Sequence, residues 1–415
     1  MSMENKYGGD KIRYLPVIVV LTGLLYSFFA ESRSFFMGFA VAGCYLVVTS
    51  SFFPYNKKRT LLISGGALAG ILCFLVFFVK PDSSRGRMLI YKISSTMFRD
   101  HYLTGLGPGR FKTEYLAYQA AYFRKGDYTE QELLLAGNTY FAFNDYWQFM
   151  IEYGVAGILM FGAMGILLLY GVIRLPADKK KQLLYNLAII ILITICVAAC
   201  FNHQFEKLWV QLTFLSSISI LSWGHLYKRR KIRPFFITGI FLFAALLVFQ
   251  AYGQRLINRR VYQHWETSKT MARAGFITES LDHCRAVAPS LADNGSFMGY
   301  YGRQLMRARR YKQAIAVLNQ ALDHRKHHQI YVDLGNCYRA SGHMEEAEQA
   351  LLTAVYMVPN RFESRFALFE CYMASGQISE ATFWGKSILS LPIKILSLRV
   401  DKIQEQVARK LRKLE

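Results

Sequence analysis

Acidic residues are scarce in this 415-residue sequence: 28 Asp and Glu stand against 50 Lys and Arg, a formal net charge of +22. A basic excess of that size invites a nucleic-acid reading. Much of it, however, sits in short segments beside long apolar runs, where anionic headgroups and membrane orientation account for it, so nucleic acid is excluded as the partner. Cysteine is also thin. Cys44, Cys73, Cys196 and Cys200 lie within apolar runs, and Cys284, Cys337 and Cys371 lie in the last third without a close pair. That pattern offers neither a disulfide framework nor a metal-ligand spacing, so no metal and no cofactor is expected, and the thiols read as small buried hydrophobes. No small-residue cleavage site follows the first apolar run, which makes it a retained anchor rather than a signal peptide. An internal inverted repeat and a broken helix pair are missing too, which argues against a transporter.

What is present is apolar surface. Hydrophobic side chains make up 53% of the chain and aromatics 15%, too much for an ordinary soluble protein. They concentrate before residue 253 in about seven runs, near 14–30, 34–53, 60–79, 154–173, 183–201, 208–226 and 234–252. Each approaches the roughly 20 residues of helix that cross a bilayer. Lys6, Lys11 and Arg13 precede the first run; Lys57, Lys58 and Arg59 follow the second; Lys179 to Lys181 follow the fourth; Lys228 to Lys231 and Arg233 follow the sixth. Because basic loops stay cytoplasmic, this alternation places the N-terminus inside and the C-terminal region outside a bacterial inner membrane. The expected organisation is all-α: transmembrane helices in 1–80, a large periplasmic loop in 81–153, further transmembrane helices in 154–253, and a periplasmic domain in 254–415.

That last domain repeats. Tyr331, Leu334, Gly335, Tyr338, Ala347, Leu351, Ala354 and Pro359 fall at the positions of the 34-residue tetratricopeptide pattern. Gly335 and Ala347 let two antiparallel helices approach, and Pro359 stops the second. Weaker copies precede it through Gly302, Leu305, Ala314, Leu318 and Ala321, and follow it through Leu368, Tyr372 and Ala381; a frayed first copy carries Trp265, Leu281 and Pro289. A helical solenoid of this kind can hold a protein partner or serve as a spacer.

The loop 81–153 holds the residues with chemistry. Arg85 and Arg87 precede a glycine run in which Gly107 and Gly109 either converge backbone N–H groups on an anion, with the Arg110 fork beside them, or form a simple turn. Tyr115, Tyr118 and Tyr122 share a helical face, suited to stacking on sugars or to anchoring at a membrane boundary. Asn144, Gln148 and Glu152 recur every four residues as a polar stripe that ends where the fourth run begins. Such a stripe marks a functional cavity or a helix end wetted by the outer medium.

Three stretches of this loop resemble the O-antigen ligase family, polytopic transferases and polymerases of lipid-linked glycans. They are Arg87-Met88-Leu89-Ile90-Tyr91, the glycine-rich turn from His101 to Phe111, and Asn144, nine intervening residues, Gly154, two more, and Gly157. The resemblance implies transfer of a glycan from an undecaprenyl-pyrophosphate carrier to a hydroxyl of an acceptor lipid, glycan or protein. Arg85, Arg87 and Arg110 would hold the pyrophosphate, and Asn144 and Gln148 would orient sugar hydroxyls. Two departures stand out. The chain has fewer spans before the loop than the family commonly has, and the histidine that the family uses in catalysis is here Phe143. A phenyl ring moves no proton, so Asp145, Glu152 and His203 become the candidates for the base. The rival reading is a non-catalytic membrane scaffold with a degenerate ligase fold.

Overall fold

The computed structural model describes residues 14–30, 32–49, 66, 81–173, 179–226, 233–253, 258–393 and 397–414. Among these the chain is helical throughout, with no strand. It divides into two compact units: 1–84, 101–105 and 141–254 form the first, and 85–100, 106–140 and 255–415 the second.

The first unit contains the apolar helices α1 (Leu15–Phe29) and α2 (Arg33–Thr49). The second unit takes most of α3 (Pro81–Asp100), with α4 (Phe111–Arg124) and α5 (Glu130–Leu135). The chain returns to the first unit as α6 (Asp145–Ile173), α7 (Lys179–Ala199), α8 (Leu208–Leu226) and α9 (Arg233–Val248), the last ending in a π turn at Phe249–Gly253. α7 is the hub, packing on α1, α2 and α8. A Cβ on Gly38 of α2 would stand 2.5 Å from the Thr194 carbonyl oxygen of α7, so the glycine is what allows the two backbones to approach. Small residues at such crossings are how apolar helices pack where lipid offers no hydrophobic incentive. The Tyr45 hydroxyl donates to Asn186 Oδ1 at 3.1 Å and ties the same pair further along. Among the described residues, Gln182–Ala199 is long and apolar enough to cross a membrane; Leu15–Phe29, Arg33–Thr49 and Leu208–Ser222 are apolar but shorter. Apart from residue 66, the expected span at 60–79 lies outside the described residues.

The repeats are helix pairs. α10 (Arg259–Arg273) and α11 (Ile277–Val287) form the first, α12 (Gly295–Arg307) and α13 (Tyr311–His324) the second, α14 (His328–Ala340) and α15 (Met344–Met357) the third, α16 (Phe362–Ser375) and α17 (Ile378–Leu389) the fourth. α18 (Leu398–Leu411) packs on the last pair. The pattern residues do what their spacing requires. Leu305, Ala314, Leu318, Ala321, Leu334, Ala347, Leu351, Ala354, Leu368 and Ala381 are buried, and Gly335 sits where a Cβ would meet the Leu351 side chain at 2.5 Å. Cys284, Cys337 and Cys371 are buried and free, as small hydrophobes.

The segment 81–153, expected from the sequence as one large outer loop with helical stretches, is mostly helix over 81–140. α4 buries Phe111, Tyr115, Gln119 and Phe123 on one face, in the same compact unit as the repeats. Tyr115 is wholly buried and stacked on Phe111 at 5.4 Å, which makes it core, not a stacking platform or an interfacial anchor; Tyr118 and Tyr122 are partly exposed. α5 starts with a reciprocal capping box, Thr129 accepting from the Glu132 N–H while the Glu132 carboxylate accepts from the Thr129 N–H.

Candidate functional site

The start of α6 gathers the polar stripe and the loop 202–207 within the first unit. Asn144 caps the helix, its Oδ1 accepting from the Trp147 N–H at 3.0 Å. Gln148 bridges: its Oε1 accepts from the Ala142 N–H at 3.2 Å, and its Nε2 donates to Glu152 Oε1 at 3.3 Å. Glu152 is 8% exposed. Asp145 performs a different task. Its Oδ2 accepts from the backbone N–H groups of Gln204 at 2.6 Å and Phe205 at 3.1 Å, fixing the loop that carries His203. Burial pushes the Asp145 carboxyl up to about 6, against the lowering effect of those two N–H groups.

The half-buried His203 imidazole lies flat on Phe141, ring centroids 4.1 Å apart and 7° between planes. Phe143 meets it edge-on at 5.7 Å and 76°. The Phe143 backbone is left-handed, with φ 55°; among the described residues Arg309 is the other non-glycine with positive φ. For a bulky residue this conformation costs on the order of 1–2 kcal/mol and persists because its surroundings hold it.

Below this cluster α6 is broken at Gly154, with φ 58° and ψ −141°, a combination open essentially to glycine alone. The break is filled by the glycine-rich turn. Tyr102 offers its carbonyl to the Val155 N–H at 2.9 Å, replacing a bond the helix has lost. A Cβ on Gly105 would stand 2.2 Å from the Glu152 carbonyl oxygen, and a Cβ on Gly154 would stand 2.6 Å from the carbonyl oxygens of Tyr102 and Leu103. The two family glycine motifs are thus the two sides of one backbone crossing.

Asn144, Asp145, Gln148, Glu152 and His203 accordingly share one unit. Arg85, Arg87, Gly107, Gly109 and Arg110 belong to the other: Arg85 is exposed and Arg87 half-buried on α3, while Gly107 accepts the Arg110 N–H at 3.2 Å in a turn that leaves Arg110 exposed. Sequence reasoning missed Gln204 and Ser34. Gln204 is 1% exposed and its Nε2 donates to Ser34 Oγ at 3.1 Å, joining the loop to the start of α2. The signal available was a polar pair at the ends of apolar runs. Among the described residues no group of three or more His, Cys, Asp or Glu could hold a metal ion.

The family model described as O-Antigen ligase matches residues 18–162, and that described as Tetratricopeptide repeat matches residues 305–363, the two families that the sequence resembles. No curated protein matches. Among solved structures, that of MamA protein is 14% identical and covers 40% of this chain and 93% of its own, with a TM-score of 0.30. That of yeast Tom70 is 11% identical and covers 99% and 97%, with a TM-score of 0.32. Scores this low carry no argument.

Proposed function

We propose that the protein is an O-antigen ligase-like glycan transferase of the bacterial inner membrane, acting at the periplasmic face on an undecaprenyl-pyrophosphate-linked glycan. About seven spans, a cytoplasmic N-terminus and periplasmic repeats complete this reading, with the repeats docking an acceptor or a protein partner. The alternation of spans is supported by the first unit: it requires the start of α2, the start of α6 and the loop after α7 to share one side, and Ser34, Asp145 and Gln204 there are joined by hydrogen bonds.

One observation carries the catalytic reading. An imidazole, that of His203, packs against Phe143, which occupies the place of the family histidine. His203 is the base. It takes the proton of the acceptor hydroxyl as that oxygen bonds to the anomeric carbon, and the carbon–oxygen bond to the carrier breaks, releasing undecaprenyl pyrophosphate. Arg85, Arg87 and Arg110 hold the leaving charge. Asp145 is a positioning residue, because its accepting oxygen is engaged by the loop backbone. Asn144 is engaged in capping, which leaves Gln148 and Glu152 as the polar wall nearest to a sugar.

The test is glycan profiling of a strain lacking the gene and complemented with variants. His203→Ala is expected to lose about 10²–10⁴-fold in transfer, and Phe143→His placed on that background to restore part of it; Arg87→Ala and Arg110→Ala are expected to abolish transfer with the protein still folded. Full transfer by His203→Ala and by both arginine variants would leave the scaffold reading, which Phe143 itself favours, in possession of the field.

A further inference from the structure

α4 lies against α15, the second helix of the repeat that fits its pattern best. The contact is an exchange of helix caps. Gln119 of α4, 1% exposed, donates from Nε2 to the carbonyl of Met357, the last residue of α15, at 2.5 Å. Asn360, just beyond α15, donates from Nδ2 to the carbonyls of Leu134 at 2.8 Å and Ala136 at 2.6 Å, at the end of α5. Carbonyls at helix ends have no partner of their own helix, so each side satisfies what the other leaves open. Around this exchange Lys326 pairs with Glu114 at 2.7 Å, Arg124 donates to Thr353 at 3.2 Å and Arg325 donates to the Tyr140 hydroxyl at 3.1 Å. Leu133 of α5 packs on the buried cluster of the repeats. α3 is fastened to the same assembly through Lys92, which reaches the Tyr122 hydroxyl at 2.6 Å and Glu132 at 2.9 Å.

This face of the repeats is therefore taken by the chain's own segment, and that segment bears Arg85, Arg87, Gly107, Gly109 and Arg110. We propose that the repeats bind 85–100 and 106–140 in cis and thereby set the position of those arginines, with Glu114, Gln119, Lys326 and Asn360 as positioning residues for the pyrophosphate-bearing donor. This rests on reading the arginines as the pyrophosphate site. An external partner of the repeats is then confined to surfaces other than the one that α4 covers on α15.

The full-length protein in nanodiscs tests this through two readouts, hydrogen exchange of α4 and α5 and the kinetics of transfer from the lipid-linked donor. Asn360→Ala and Lys326→Glu are expected to lower exchange protection of α4 and α5 and to raise the KM for the donor about tenfold, the equivalent of about 1.4 kcal/mol, with kcat held. Glu114→Lys on the Lys326→Glu background is expected to restore both. Unchanged protection in both single variants overturns the hold in cis. Lost protection with an unchanged donor KM, or with a fall in kcat alone, overturns the positioning role. Absence of transfer by the unaltered protein would count against the proposed function, while the exchange readout would still decide the hold.

Discussion

Each unit holds a carboxylate at a junction, Asp333 buried and Asp145 half-buried, and the two are treated differently. Asp333 in the repeats is 2% exposed and receives the Arg303 Nε at 2.7 Å and the Gln329 Nε2 at 3.1 Å. Asp145 in the first unit is anchored by two backbone N–H groups. Burial raises both, and for Asp333 the guanidinium and two side-chain hydrogen bonds work against that. A carboxylate locked to arginine is part of the scaffold. The other, raised by burial, holds a loop by its backbone. The glycines differ too: Gly335 faces the Leu351 side chain first, with the Ala347 carbonyl oxygen at 3.1 Å, whereas Gly154 faces backbone atoms alone.

The largest effect expected from this contrast is at Gly154. Gly154→Ala combines a forbidden backbone with a clash against oxygens that cannot rotate away, a cost of about 3–5 kcal/mol. Gly335→Ala, where Leu351 can shift and helix propensity offsets part of the strain, is expected to cost about 1–2 kcal/mol. Thermal unfolding of the two purified variants checks the order, and equal losses would break the comparison. Next comes Arg303→Ala, which leaves Asp333 buried without its cation and is expected to destabilise the repeats by about 3 kcal/mol, read as lost exchange protection in α12 and α14. The smallest effect is a slope. Folding raises the Asp145 carboxyl from 3.8 to about 6, so between those values the folded protein binds the extra proton and stability falls as pH rises from about 4 to about 6, then levels. Asp145→Asn should flatten that portion of the curve, measured by melting at pH 4.5 and 7; an unchanged slope would assign it to other groups.

Reading the sequence went furthest where contacts are local. The spacing of Tyr331, Leu334, Gly335, Ala347 and Leu351 is the packing of one helix pair against itself, so the pattern and the core coincide. The stripe of Asn144, Gln148 and Glu152 was readable for the same reason, since a four-residue period is a property of one helix. Asp145 reaching Gln204, Gly105 meeting Glu152, and Gln119 capping Met357 join segments far apart in the chain, and no periodicity encodes them. The helical spacing of Tyr115, Tyr118 and Tyr122 was legible, but the burial of Tyr115 was not, because the partner of that face of α4 lies in the repeats.

That last separation has a consequence in time. Gln119 and Met357 stand 238 residues apart in sequence. At synthesis rates of about 5–20 residues per second, the face of α4 that carries Phe111, Tyr115 and Phe123 emerges some 10–50 seconds before the helix that covers it. Throughout that interval the ring-lined face of α4 stands without the helix that covers it. That face closes once α15, in the third repeat, has folded against it.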